Sequence, residues 1–183
     1  TYAVVEKPLS IYLNDNHVVT AMTVGDYPDF LAVGYLVNQN IIKEVKITSS
    51  ISLSSAEVFK LYKEINITPS LYLKSGAIHG CVLCSKNKTL AFFEDVGRHN
   101  AIDKLAGYMF LNNIKPQDKI LYTTGRLTSE MVIKTIMMKI PILASRSGYT
   151  AWGVDLAKES ELTMLGRLRG RTFTVLSGNN RIK

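Results

Sequence analysis

The sequence predicts an α/β protein: a largely parallel mixed sheet covered by helices on both faces, with a small strand-and-helix appendage at the N-terminus. Three observations carry this expectation. Three strand–loop–helix units follow one another, with strands at residues 89–93, 119–122 and 140–144. Each strand is a short apolar run that leads into a Gly- and Ser/Thr-containing loop and then a helical period, the signature of right-handed crossovers in one sheet. Finally, 183 residues suffice for one good core, here divided into a smaller unit over residues 1–70 and an α/β core over residues 71–183.

In chain order, residues 8–14 and 17–23 read as two strands around an Asn14-Asp15-Asn16 turn, a hairpin. A helix starts at Asp26–Asp29 with Pro28 in its first turn; Phe30, Leu31, Val33, Leu36 and Val37 make it apolar nearly all round, hence buried. Residues 41–48 alternate as a strand, residues 49–55 form a loop, and residues 57–65 form a helix closed by Pro69. Residues 78–84 and 89–93 make a second hairpin around residues 85–88. The first crossover helix begins near Asn100 and runs to about Leu111, with Ile102, Leu105, Met109 and Phe110 at helical spacing. The second carries Val132, Ile133, Ile136 and Met137, and the third ends near Glu159. Strands at 162–165 and 172–176 close the chain around an arginine-rich turn.

Residues 94–104 stand out because strongly polar groups crowd between a core strand and a core helix, an expensive place for them. Either Glu94 and Asp95 pair with Arg98 and Lys104 as a self-satisfied cluster, or the stretch faces a ligand at the carboxyl edge of the sheet. The three strand-to-helix loops each carry one arginine: Arg98, Arg126 and Arg146. If those loops open on one edge, three guanidiniums and three helix N-termini make a preformed anion site. Arg167, Arg169 and Arg171 add a fourth wall. The formal net charge of +7 agrees with an anionic partner. No loop is a Walker or dinucleotide fingerprint, and no aromatic-lined basic face suggests nucleic acid. No stretch is long and apolar enough for a membrane span, and residues 1–7 do not read as a signal peptide, so a cytoplasmic protein is expected.

The run Glu94-Asp95-Val96-Gly97-Arg98-His99-Asn100-Ala101, with Asp103-Lys104, resembles the hallmark of the formate dehydrogenase accessory sulfurtransferases, the FdhD family. Further motifs follow in the family's order: residues 6–11, residues 31–36, Ser75-Gly76-Ala77-Ile78-His79, residues 125–134, Ser145-Arg146-Ser147 and residues 166–170. The resemblance implies a sulfurtransferase that takes persulfide sulfur from a cysteine desulfurase and passes it to molybdenum bis(molybdopterin guanine dinucleotide) bound for formate dehydrogenase. It also implies a homodimer, a cytidine-deaminase-like three-layer α/β/α core, and the molybdenum cofactor as a bound client with no tightly held metal. By position, Arg167, Leu168, Arg169, Gly170, Arg171 and Thr172 match the family's cofactor-binding run. Loop reasoning adds Arg98, His99, Arg126, Ser129 and Arg146. His99 is either a proton donor near the transferred sulfur or a satisfied helix-start histidine.

One departure bears on the chemistry. The family places a Cys-x-x-Cys pair in a mobile loop about where this chain has Thr48-Ser49-Ser50-Ile51-Ser52. Either this member has lost that loop or the sequence omits a segment; omission is preferred, because functional cysteines concentrate in such loops. The catalytic residue is therefore unassigned, with Cys81 and Cys84 the only thiols. In a strand, residues three apart point to opposite faces, so this pair reads as packed structural thiols rather than a redox pair or zinc ligands. Trp152 reads as core or dimer surface. The alternative function is a non-catalytic chaperone for the molybdopterin guanine dinucleotide or a nucleotide, keeping the arginine pocket without persulfide chemistry.

Overall fold

A computed structural model describes residues 3–39, 45–67, 70–86 and 88–183. It opens with an antiparallel hairpin, β1 (Lys7–Leu13) and β2 (Asn16–Thr23), followed by α1 (Pro28–Asn38), α2 (Ser55–Ile67) and the short α3 (Leu71–Ser75). Then come β3 (His79–Ser85), β4 (Lys88–Asp95), α4 (Arg98–Leu111), β5 (Ile120–Thr123), α5 (Ser129–Met137), β6 (Ile142–Ser145), α6 (Ala151–Glu159), β7 (Thr163–Arg169) and β8 (Thr172–Ser177). The alternating run at residues 41–48 is not realised as a strand over residues 45–48; residues 41–44 lie outside the described set. Ile47 is held instead as irregular backbone: its N–H donates to Ser160 O, and its carbonyl accepts from the Arg181 guanidinium at 3.0 Å.

The main sheet has six strands in the order β4-β3-β5-β6-β7-β8. β5, β6 and β7 pair in parallel; β3 is antiparallel to both neighbours, and β8 is antiparallel to β7. The sheet is thus more mixed than expected, because the tight β3–β4 hairpin inserts a reversed strand between β4 and β5. β4, β5, β6 and β7 nevertheless run the same way. Their carboxyl ends share one edge with the starts of β3 and β8.

Three crossovers step across the sheet in one direction, and right-handedness puts α4, α5 and α6 on the same face. Leu105, Met131 and Ala157 from these helices pack there against Cys81, Leu83, Leu121, Leu143 and Met164. The alternate strand residues Val82, Cys84, Ile120, Tyr122, Ile142 and Leu165 face Val58 and Leu61 of α2. The result is three layers, α/β/α. α1 adds a helix outside α4, in backbone contact: a Cβ built on Gly107 would come 2.0 Å from Phe30 O, and one on Gly34 1.7 Å from Asp103 O. Tyr27, Phe30, Phe93 and Tyr108 close that junction edge-to-face.

Candidate anion-binding site

The carboxyl edge is knit together by two threonines. Thr123 Oγ1 donates to Gly80 O at 3.1 Å, while Thr124 Oγ1 accepts from Gly80 N at 2.9 Å. The end of β5 is thereby locked to the start of β3, which places His79 at the mouth. Leu127 N donates to Gly148 O and Thr150 N to Leu127 O, tying the Arg126 and Arg146 loops together. Arg167 N donates to Ser147 O, bringing in the end of β7. Arg169 Nε donates to the Arg146 carbonyl at 3.2 Å.

Between these elements lies a cleft of about 370 Å³ lined by Gly76, Ala77, Ile78, His79, Thr124, Arg146, Ser147 and Arg169. Arg98, the first residue of α4, lies over Gly125, where an added Cβ would come 2.9 Å from the arginine's Cβ. Its Nε is buried and has no hydrogen-bond partner among the described residues. The field of Arg98 and Arg126 reaches His79: burial first, then those two guanidiniums, holds its pKa below the usual histidine value. His99 is pushed to about 4 by burial and by Arg98 and Lys134, which together outweigh Glu130. Its neutral ring donates from Nε2 to Glu130 Oε2 at 2.9 Å. A larger cleft of about 500 Å³ lies at the opposite edge, near Thr48–Ile51, but its two charged residues are already paired, Lys86 with Glu57 and Asp118 with Lys119.

The structure divides the 94–104 stretch between both open readings. Asp95 and Lys104 form a fully buried pair 2.6 Å apart. Lys104 also donates to Asp26 and to the Glu94 carbonyl, while Asp95 accepts from Thr23 and from Asn100 Nδ2. Asn100 reaches Met22 O at 2.6 Å, and Asp103 accepts from Lys134 and from Asn38 Nδ2. These groups fasten the N-terminal hairpin and α1 to α4. Arg98 does not join them.

Among the residues singled out in the sequence, Arg98, Arg126, Arg146 and Arg169 surround the cleft or its rim, with His99 beside Arg98. Ser129 starts α5 and is not among the described residues that line the cleft. Arg167 stacks over the Tyr149 ring, 5.5 Å from its centre. Gly170, at φ 57°, and exposed Arg171 form the β7–β8 turn, and the Thr172 hydroxyl donates to Arg169 O. Leu168 needs a correction: it is 2 % exposed and packs in the α2-side core, so its side chain cannot touch a ligand in the cleft. Cys81 and Cys84 are both buried, on opposite faces, and burial pushes each thiol up to about 12. Trp152 is exposed rather than core. Sequence reasoning gave no site role to His79, Thr124 or Ser147: His79 reaches this edge only because β3 is reversed, while Thr124 and Ser147 lie in loops of which the arginines alone were singled out. Among the described residues no cluster of three or more His, Cys, Asp or Glu suits a metal, and no helix is long and apolar enough to cross a membrane.

Comparison with known proteins places the chain. A crystal structure assigned to a formate dehydrogenase accessory protein from Desulfotalea psychrophila superposes with a TM-score of 0.90 at 28% identity, covering 98% of this chain and 90% of the other. The sulfur carrier protein FdhD of Listeria monocytogenes serotype 4b is 25% identical over 97% of this chain and 90% of its own. That of Bacillus subtilis is 32% identical over 74% and 52%. The Listeria alignment runs over 234 positions against the 183 residues here, so that relative carries internal residues with no counterpart in this chain. The family model described as FdhD/NarQ matches in two stretches, residues 4–57 and 44–183. With that match spanning the sheet, its loops and the N-terminal hairpin, the chain belongs to the FdhD/NarQ family.

Proposed function

We propose that the chain acts as a sulfur carrier for formate dehydrogenase, and that its arginine-lined cleft holds the phosphate-rich part of a molybdenum bis(molybdopterin guanine dinucleotide) client. The observation that carries this reading is convergence: guanidiniums from three strand-to-helix loops and the β7 end gather at one sheet edge beside uncapped helix N-termini. Bidentate guanidiniums and free backbone N–H groups suit phosphate oxygens, and partial burial strengthens both. A cysteine desulfurase would supply the sulfur, its persulfide passing the outer sulfur to a carrier thiolate and leaving as thiol. Cys81 and Cys84 are unsuited to that step, because only an accessible thiolate attacks. A carrier cysteine would then have to lie among the internal residues that the Listeria relative has and this chain lacks. A cytoplasmic homodimer fits the exposed Trp152, Tyr12 and Leu13, apolar side chains that a partner copy would cover.

The buried thiols also favour a second reading, in which these 183 residues act as a cofactor-binding chaperone without persulfide chemistry. Two experiments decide. GDP titrated against wild type, Arg146→Ala and Arg169→Ala should show each variant weaker by about tenfold, the worth of one charge-assisted contact, with exposed Lys158→Ala unchanged. Equal affinities would remove both arginines from the site. Mass spectrometry after incubation with a cysteine desulfurase and cysteine bears on the two readings: an unchanged mass is expected of these 183 residues, whose two thiols are buried, and leaves the chaperone as their own role, whereas added sulfur would make Cys81 or Cys84 the carrier and contradict their placement.

A further inference from the structure

Among the ionisable groups at the cleft, His79 is the one the proposed function leaves unused. It opens β3, the single reversed strand in the sheet's interior, and so lies at the ligand edge. Its ring has no hydrogen-bond partner among the described residues, whereas His99 is committed to Glu130 and His17 to Thr20.

The charged groups around it are nearly all cationic. Arg98 approaches from the start of α4, with the neutral His99 beside it, Arg126 from the β5–α5 loop, Arg146 from the β6–α6 loop and Arg169 from the end of β7. Across the hairpin its register partner is Asp95, but that carboxylate is occupied by Lys104, Thr23 and Asn100. Glu130 and Lys134 reach it only through His99.

We propose that His79 is an anion-contacting residue of this cleft that enters the contact as imidazolium, so that a phosphate-bearing ligand binds together with a proton from solvent. The inference rests on the arginine-cleft reading and adds a residue and a proton to it. In the empty cleft, half-burial beside two guanidiniums disfavours a further positive charge. A phosphate group between the ring and the arginines reverses the sign of the local field. The imidazolium then gains a charge-assisted hydrogen bond that the neutral ring offers only weakly. Binding and protonation are therefore linked: affinity rises as pH falls from the bound-state to the free-state pKa of His79.

The test is calorimetric titration with inorganic pyrophosphate, in buffers of different ionisation enthalpy, on wild type, His79→Gln and Arg146→Ala. The ligand's own protonation is common to all three, so the difference between wild type and His79→Gln isolates the histidine. The expected result is an excess uptake approaching one proton in wild type near neutral pH, with affinity gaining about fivefold more than in the variant between mildly alkaline and mildly acidic solution. Equal uptake and equal pH dependence, with binding still sensitive to Arg146→Ala, would overturn the role of His79 and leave the arginine site standing. No pyrophosphate binding by wild type would overturn both. A readout free of any substitution is NMR of the three imidazoles, His17, His79 and His99. One ring should move to its protonated shift when pyrophosphate is added near pH 7; no such change in any ring would overturn the proposal.

Discussion

Lys104→Met is the substitution that most sharply divides the scaffold from the site. The Lys104 side chain is 0 % exposed and its ammonium lies 2.6 Å from an equally buried Asp95 carboxylate. Methionine has nearly the volume of the lysine stem, so packing changes little and the loss is one of charge. What remains is a buried carboxylate held by Thr23 and Asn100 without a countercharge. Removing one partner of a buried pair costs about 3–5 kcal/mol. For a domain of this length each kcal/mol corresponds to roughly 2–4 °C, so the melting temperature should fall by about 10 °C. Adding Asp95→Asn should recover most of that, because the amide keeps a polar contact without the stranded charge. Differential scanning calorimetry of the two single variants and the double variant gives the cycle. A Lys104→Met protein melting within about 2 °C of wild type would refute the reasoning, since Asp95 would then not depend on this lysine. Pyrophosphate affinity at a temperature where the variant stays folded should be unchanged, because Lys104 serves the α4–hairpin junction and not the cleft.

Three other outcomes follow from the same geometry. Gly107→Ala places a methyl group 2.0 Å from Phe30 O and must lift α1 off α4, so a loss of more than about 3 kcal/mol or failure to fold is expected. Gly148→Ala, with open space around it, should change stability by less than about 0.5 kcal/mol; equal effects would contradict the backbone contact. His99 sits near 4 when folded, against an ordinary value of 6.5, so the folded state binds fewer protons than the unfolded chain. Its contribution is therefore complete above pH 6.5 and is lost as pH falls toward 4. Urea titrations at several pH values should show that loss reduced in His99→Gln, and parallel losses would exclude it. Cys81 and Cys84 should react with a thiol reagent only on unfolding, since burial holds both protonated up to about 12; a fast native thiol would contradict their placement.

The sequence announced the crossovers because each strand is short and apolar, each loop carries glycine or a capping residue, and each helix keeps its period. It did not reveal that β3 separates β4 from β5. Hairpin chemistry at residues 85–88 specifies the local partner of β4, whereas the second neighbour of β3 depends on long-range pairing with β5. His79 was obscured for the same reason. The arginines were legible because one recurs in each loop; the inward turn of Leu168 was legible too, in the Arg-Leu-Arg alternation, but matching by position passed over it. Within residues 94–104, Arg98 and His99 begin α4 and face the edge, while Asp103 and Lys104 lie more than one turn further along and look back to α1 and the hairpin. Only the docked N-terminal elements reveal that division.

The convergence of arginines is tested most directly by NMR of the guanidinium Nε–Hε signals while the protein is titrated with GDP. The signals of Arg98, Arg126, Arg146 and Arg169 should move together along one binding curve, with Arg181, which is engaged with the Ile47 and Glu161 carbonyls, unmoved. Shifts confined to other arginines, or no shift at saturating GDP, would contradict a phosphate cradle at this edge of the sheet.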